Sequence, residues 1–91
     1  MFKGNAPIIQ SPLSGNEYLI SKDHPEPLLL QAKTGNDVSR VYWYINDQFY
    51  KAVAPGEKLF FMPAEGRVKI SCTDDKGRNR NITIQVKFIG L

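Results

Sequence analysis

The stretch "SRVYWYIND", residues 39–47, has the strongest β-strand pattern of the chain. Apolar side chains alternate along it with Tyr42 and Tyr44, a period of two that is typical of a β-strand with one buried face. The apolar positions are Val41, Trp43 and Ile45. Asn46 and Asp47 follow at once, and this pair favours a tight turn into a second strand. The stretch therefore predicts a β-hairpin with the indole inside and the tyrosines outside.

Similar short runs occupy the rest of the chain, separated by clusters of Gly, Pro, Asn and Asp. They are "APIIQSP" (6–12), "EYLIS" (17–21), "PLLLQAK" (27–33), "QFYKA" (48–52), "KLFFMP" (58–63), "RVKISCTD" (67–74) and "RNITIQVKFI" (80–89). No apolar period of 3.6 residues is long enough to predict a helix. The pattern predicts a single all-β domain over residues 1–91, an immunoglobulin-like β-sandwich of seven to eight short antiparallel strands.

The cysteine content shapes the expected core. The chain has one cysteine, which excludes an internal disulfide. In an immunoglobulin-like order, Trp43 lies on the third main strand and Cys72 on the penultimate strand. Leu28 and Leu30 stand where a partner cysteine would be. We therefore expect an apolar contact between the sheets, in which Trp43 packs against Leu30 and Cys72.

The net charge and the residues that could bind a metal predict neither a nucleic-acid partner nor a cofactor. The net charge of +3 is mildly basic, and the densest basic run is "KGRNR", residues 76–80. Nucleic-acid binding through this run is a weak alternative, and no nucleic-acid partner is predicted. His24 lies in a loop-like stretch without a ligand partner nearby, so no metal or other cofactor is predicted. No apolar run approaches the ~20 residues that cross a bilayer.

One short motif raises the question of catalysis. Residues 33–35 read Lys-Thr-Gly, and K-T-G lines the active site of penicillin-recognising serine enzymes together with S-x-x-K and S-x-N. Residues 14–16 match S-x-N, but no serine of the chain has a lysine three positions on. Without that serine and lysine there is no nucleophile to activate. We therefore interpret residues 33–35 as a strand end and a turn, and predict a non-catalytic domain.

The outward side chains of the central hairpin form the candidate site. Alternation places Tyr42 and Tyr44 opposite Trp43, with Arg40 and Lys69 nearby. Exposed tyrosines beside cations could stack on sugar rings or dock a protein. Cross-strand pairing that only stabilises the sheet is the alternative. The predicted partner-binding or glycan-binding residues are Arg40, Tyr42, Tyr44 and Lys69.

Four patterns in fixed order carry a family resemblance. They are I-x-x-P-x-x-G-x-x-[YF] from Ile9 to Tyr18, W-x-[IV]-[ND]-[GD] from Trp43 to Asp47, P-x-x-G from Pro63 to Gly66, and D-x-x-G-R from Asp74 to Arg78. With these patterns the chain resembles the C-terminal domains of the penicillin-binding protein 1C family over nearly its whole length. It departs at Asp47, where glycine is commoner.

The resemblance implies a longer parent, of which residues 1–91 form a C-terminal accessory domain. That parent is a bacterial peptidoglycan glycosyltransferase and transpeptidase, with a membrane anchor and its catalytic residues in other domains. The domain is then expected in the periplasm or elsewhere outside the cytoplasmic membrane, tied to the membrane only through the parent's anchor. Its expected partner is the parent's transpeptidase domain or another envelope protein, with peptidoglycan as the alternative.

Overall fold

The computed structural model describes residues 5–90, which form eight β-strands in two packed sheets. The strands are β1 (Ile8–Ser11), β2 (Glu17–Ser21), β3 (Leu28–Lys33), β4 (Val41–Ile45), β5 (Gln48–Val53), β6 (Leu59–Phe61), β7 (Gly66–Asp74) and β8 (Asn79–Ile89). Each predicted run overlaps one of them, so the all-β prediction is confirmed. The smaller sheet has the order β1-β3-β6, and the larger has the order β2-β8-β7-β4-β5.

Strand direction and strand length differ from the prediction. β2 runs parallel to β8, with Glu17 opposite Gln85 and Ser21 opposite Ile89, whereas the prediction contains antiparallel strands alone. β7 and β8 are longer than predicted, with 9 and 11 residues. Side chains alternate in the same way along parallel and antiparallel strands, so the pattern carries no information on direction.

The core lies between the sheets and is built from alternate residues of the strands. Its buried members are Ile20, Leu30, Ala32, Val38, Val41, Trp43, Val53, Phe61, Val68, Ile70, Cys72, Ile82, Ile84 and Val86. Trp43 and Cys72 are cross-strand partners in the larger sheet, and Leu30 enters from the smaller sheet. All three are fully buried in one cluster, as predicted. The indole Nε1 of Trp43 is buried without a hydrogen-bond partner among residues 5–90.

Cys72 is a free thiol in this core. Burial disfavours its charged form, and the negative charge of Asp74 adds to that effect, so its pKa rises to about 12. Because the thiolate is the reactive form of cysteine, Cys72 is a packing residue at neutral pH.

The first hairpin turn has the predicted position between β4 and β5. Asn46 and Asp47 have φ angles of 50° and 68°, the left-handed conformation that Asn and Asp tolerate better than other side chains. Asn46 also ties the turn to β7: its backbone N–H donates to the carbonyl of Lys69 at 2.8 Å, and its Oδ1 accepts the Lys69 backbone N–H at 2.8 Å.

The second hairpin turn, between β7 and β8, is organised by a buried carboxylate. Asp74 is 2% exposed, and its Oδ1 accepts the backbone N–H groups of Lys76 and Arg78 at 2.9 Å. Its Oδ2 accepts Nε of Arg78 at 2.7 Å, and the same guanidinium reaches Asp37 at 3.0 Å. The clusters of Asn and Asp between the strands predict turns, but they do not predict this ionic contact.

Candidate functional site

The two tyrosines lie on the outer face of the larger sheet. On β4, Val41 and Trp43 are buried toward the core, while Tyr42 and Tyr44 point the other way and are half-buried. The ring of Tyr44 meets the edge of Phe49 on β5, with centroids 5.7 Å apart and planes at 71°. The orientation agrees with the alternation. The tyrosines' binding role stays a prediction, because the aromatic contact alone also stabilises the sheet.

The two predicted cations are placed differently. Lys69 lies on β7, on the same outer face, and its Nζ is 2.8 Å from Oδ1 of Asp47. Arg40 is exposed and precedes β4 without belonging to it. The structure therefore brings Tyr42, Tyr44 and Lys69 onto one face and leaves Arg40 at its end, with part of the Lys69 charge balanced by the hairpin turn.

Strand register adds polar side chains that the sequence interpretation did not include. Cross-strand partners on β4, β7 and β8 form two rows, which we call the neutral rows: Tyr44–Ser71–Asn81 and Tyr42–Thr73–Asn79. Each row holds an aromatic ring, a hydroxyl and a carboxamide. Within the second row, Nδ2 of Asn79 donates to Oγ1 of Thr73 at 2.6 Å. Alternation along β7 and β8 places these residues on the outer face, although Ser71 is only 6% exposed there, and only the register aligns them with the tyrosines.

Further along the same face the rows carry charge. The next two rows, which we call the basic rows, are Lys69–Thr83 and Arg67–Gln85–Glu17. A depression of about 340 Å³ lies at the second of them and is lined by Gly15, Arg67, Thr83, Ile84 and Gln85. The outer face therefore changes from aromatic and neutral at one end to charged at the other, where Arg67 and Lys69 are the cations and Glu17 is the anion.

The K-T-G residues lie elsewhere. Lys33 ends β3, and Oγ1 of Thr34 donates to the carbonyl of Gly35 at 3.1 Å. These residues line a cavity of about 440 Å³ together with Gln10, Ala32, Asn36, Val38, Pro55 and Gly56. No serine lines this cavity. The arrangement is that of a strand end and a turn.

Residues 5–90 offer neither a cluster of metal ligands nor a membrane-spanning helix. They contain no group of three or more His, Cys, Asp or Glu side chains that could hold a metal ion. They also contain no helix with the length and apolarity to cross a membrane.

Comparison with known proteins gives three similarities. The Penicillin-Binding Protein C-terminus Family matches residues 1–86. A biosynthetic arginine decarboxylase from Nostoc sp. (strain PCC 7120) is 36% identical over 72 residues, which are 77% of this chain. The chain spans about 10% of that relative's length.

A solved structure of fibronectin(III)-like modules of Clostridium thermocellum CbhA is similar with a TM-score of 0.66. It is 19% identical, and the match covers 90% of this chain and 96% of that one. At this identity the likeness concerns the fold. It agrees with the predicted two-sheet sandwich.

Proposed function

The chain belongs to the Penicillin-Binding Protein C-terminus Family, and from that membership we propose a non-catalytic accessory module of a bifunctional peptidoglycan synthase of the penicillin-binding protein 1C type. The domain acts outside the cytoplasmic membrane, on which the parent protein is anchored. It needs no cofactor and no nucleic acid. A similar segment within an arginine decarboxylase is one reason to separate the module from the catalysis of the protein that carries it.

The observation that carries the proposal is the outer face of the larger sheet. The core is complete on the inner face, so Tyr42 and Tyr44 are available on the other side of β4. Aromatic side chains are enriched at protein interfaces because they bury a large area with few rotatable bonds. We propose that this face docks the domain on the parent's transpeptidase domain or on another envelope protein.

The face is a better docking surface than the β5 edge of the sheet. The two end strands are β2 and β5, and the pairing of β5 with β4 shifts between Trp43 and Tyr44, so Tyr50 forms a bulge. Lys51 beside it is exposed. Bulges and exposed lysines are the features by which edge strands resist the addition of another strand.

Site-specific photocrosslinking in the full-length parent protein tests the docking proposal. A photoreactive amino acid at position 44 is expected to crosslink to the transpeptidase domain or to one envelope protein. The matched control position is 60, where Phe60 is 55% exposed on the outer face of the smaller sheet. Equal crosslinking at positions 44 and 60, or none at 44, would contradict docking through this face.

Glycan binding is the second candidate function, through Arg40, Tyr42, Tyr44 and Lys69. The neutral rows favour it, because hydroxyl and carboxamide groups beside aromatic rings match the alternating polar and apolar surfaces of sugars. The test is sedimentation of the isolated domain with purified cell-wall sacculi. The double variant Tyr42→Ala/Tyr44→Ala is expected to stay in the supernatant, and unchanged pelleting would remove this face as the glycan site.

A further inference from the structure

We propose that the outer face of the larger sheet binds a carboxylate-bearing glycan chain that extends from the neutral rows to the basic rows. The proposal rests on the glycan candidate above and deepens it. It assigns binding roles to residues outside the predicted site. They are Arg67, Thr73, Asn79, Asn81, Thr83 and Gln85.

The neutral rows supply sites for successive sugar rings. Tyr42 and Tyr44 are two residues apart on β4, so the rows are about 7 Å apart. In each row the aromatic ring can cover the apolar face of a sugar. The exposed carboxamide on β8, and in the second row also the half-buried Thr73 hydroxyl on β7, can exchange hydrogen bonds with its ring substituents. Asn81 and Asn79 are both exposed, so their amides are accessible to a ligand.

The basic rows supply the charge complementarity. Arg67 is exposed and makes no ion pair within residues 5–90. Lys69 is paired with Asp47, and Lys87 stands one row further along β8. Glu17 is the acidic member of the Arg67 row. The positive charge that remains favours a polymer with carboxylates over a neutral one.

The centre of the face differs from the centre of a typical protein interface. Such centres are enriched in aromatic residues, Met and Arg and depleted in Ser and charged residues. Here Ser71 and Thr73 occupy the middle column, between the tyrosines on one side and the asparagines on the other. Ser71 is 6% exposed, so the accessible polar groups at this centre are the Thr73 hydroxyl and the two asparagine amides, which can exchange hydrogen bonds with a sugar.

Binding of the isolated domain to four polymers tests the ligand class. Sacculi carry carboxylates and acetamido groups, polygalacturonate carries carboxylates, chitin carries acetamido groups and cellulose carries neither. We expect sacculi and polygalacturonate to bind at least about tenfold more tightly than cellulose. Raising NaCl from about 50 mM to about 500 mM should weaken this binding severalfold, because exposed charges are screened. Equal retention on cellulose, or stronger competition by inorganic polyphosphate than by polygalacturonate, would overturn the proposal.

Variants in single rows test where the glycan chain binds on the face. Asn81→Asp places a negative charge in a neutral row without touching the core, and should weaken sacculus binding about tenfold. Arg67→Gln should weaken it about threefold and reduce its salt dependence. The matched control is Lys58→Gln, in the exposed connection before β6. Binding of both row variants at the wild-type level would overturn the proposal, provided that their thermal unfolding is unchanged.

The outcome separates this inference from the docking proposal. Crosslinking at position 44 without sacculus binding leaves the docking proposal intact and overturns the glycan-binding proposal. Sacculus binding that is weakened by Asn81→Asp, without a crosslinked protein, supports the glycan-binding proposal and contradicts the docking proposal.

Discussion

Two turns of the larger sheet each hold an aspartate against a basic side chain, and the two ion pairs differ mainly in burial. Nζ of Lys69 is 2.8 Å from Oδ1 of Asp47, and Nε of Arg78 is 2.7 Å from Oδ2 of Asp74. The first pair of side chains is 42% and 74% exposed, the second 17% and 0%. Water screens the first pair and hardly reaches the second carboxylate. Nearly equal distances therefore correspond to unequal contributions to stability.

The surroundings of the two aspartates reinforce the difference. Asp74 also accepts two backbone hydrogen bonds, and Arg78 extends the network to Asp37 in the connection before β4. Burial raises the pKa of Asp74, but these hydrogen bonds and the Arg78 charge together outweigh that effect and lower it below its ordinary value. The other turn is held by the backbone and carboxamide of Asn46, so it depends little on Asp47.

The largest effect is expected from Asp74→Asn. The substitution keeps the shape of the side chain but removes its charge and turns an amide N–H toward Arg78. The free energy of unfolding, measured by urea denaturation, should fall by about 2–4 kcal/mol. Asp75→Asn is the matched control, because Asp75 is exposed, and its loss should stay below about 1 kcal/mol. Equal losses for the two variants would contradict a role for burial.

The stability contributed by Asp74 is expected to depend on pH. The pKa of Asp74 in the folded domain lies below its ordinary value of 3.8. Its stabilisation is therefore fully present above about pH 4 and is lost as the pH falls through the lowered pKa. Urea denaturation between about pH 5 and about pH 2 should show a steeper loss for the wild type than for Asp74→Asn. Parallel curves would show that Asp74 does not contribute to acid sensitivity.

An intermediate effect is expected from Asp37→Asn. Asp37 lies at the outer end of the network, 3.0 Å from Nη2 of Arg78, and its side chain is 42% exposed. Arg78 keeps its buried partner in this variant, so unfolding should become easier by about 0.5–1 kcal/mol. The loss should shrink in about 1 M NaCl, where exposed pairs are screened. A loss that is independent of salt would place Asp37 among the buried partners instead.

The smallest effect is expected from Asp47→Asn. Asparagine tolerates the left-handed φ angle of 68° at this position, so the turn should persist. Only the exposed pair with Lys69 is lost, and the thermal midpoint should shift by an amount equivalent to about 0.5 kcal/mol or less. A shift as large as that of Asp74→Asn would mean that burial does not separate the two pairs.

Particular elements show how far the sequence predicts this molecule. The alternation around Trp43 predicts β4, its buried face and the outward tyrosines, and Asn46 and Asp47 predict the turn. The same reasoning does not reveal that β2 runs parallel to β8. It also does not reveal the ionic network around Asp74, because Asp37, which extends that network, is 41 positions from Arg78 in the chain.

The local sequence specifies which side chains face inward, because a period of two and turn-forming residues are local properties of the chain. It also determined the absence of a disulfide, since Cys72 has no second cysteine to pair with. Which outward side chains lie next to one another depends on the tertiary structure. The rows that join Tyr44 to Ser71 and Asn81, and the burial of one aspartate but not the other, depend on register and packing between distant segments.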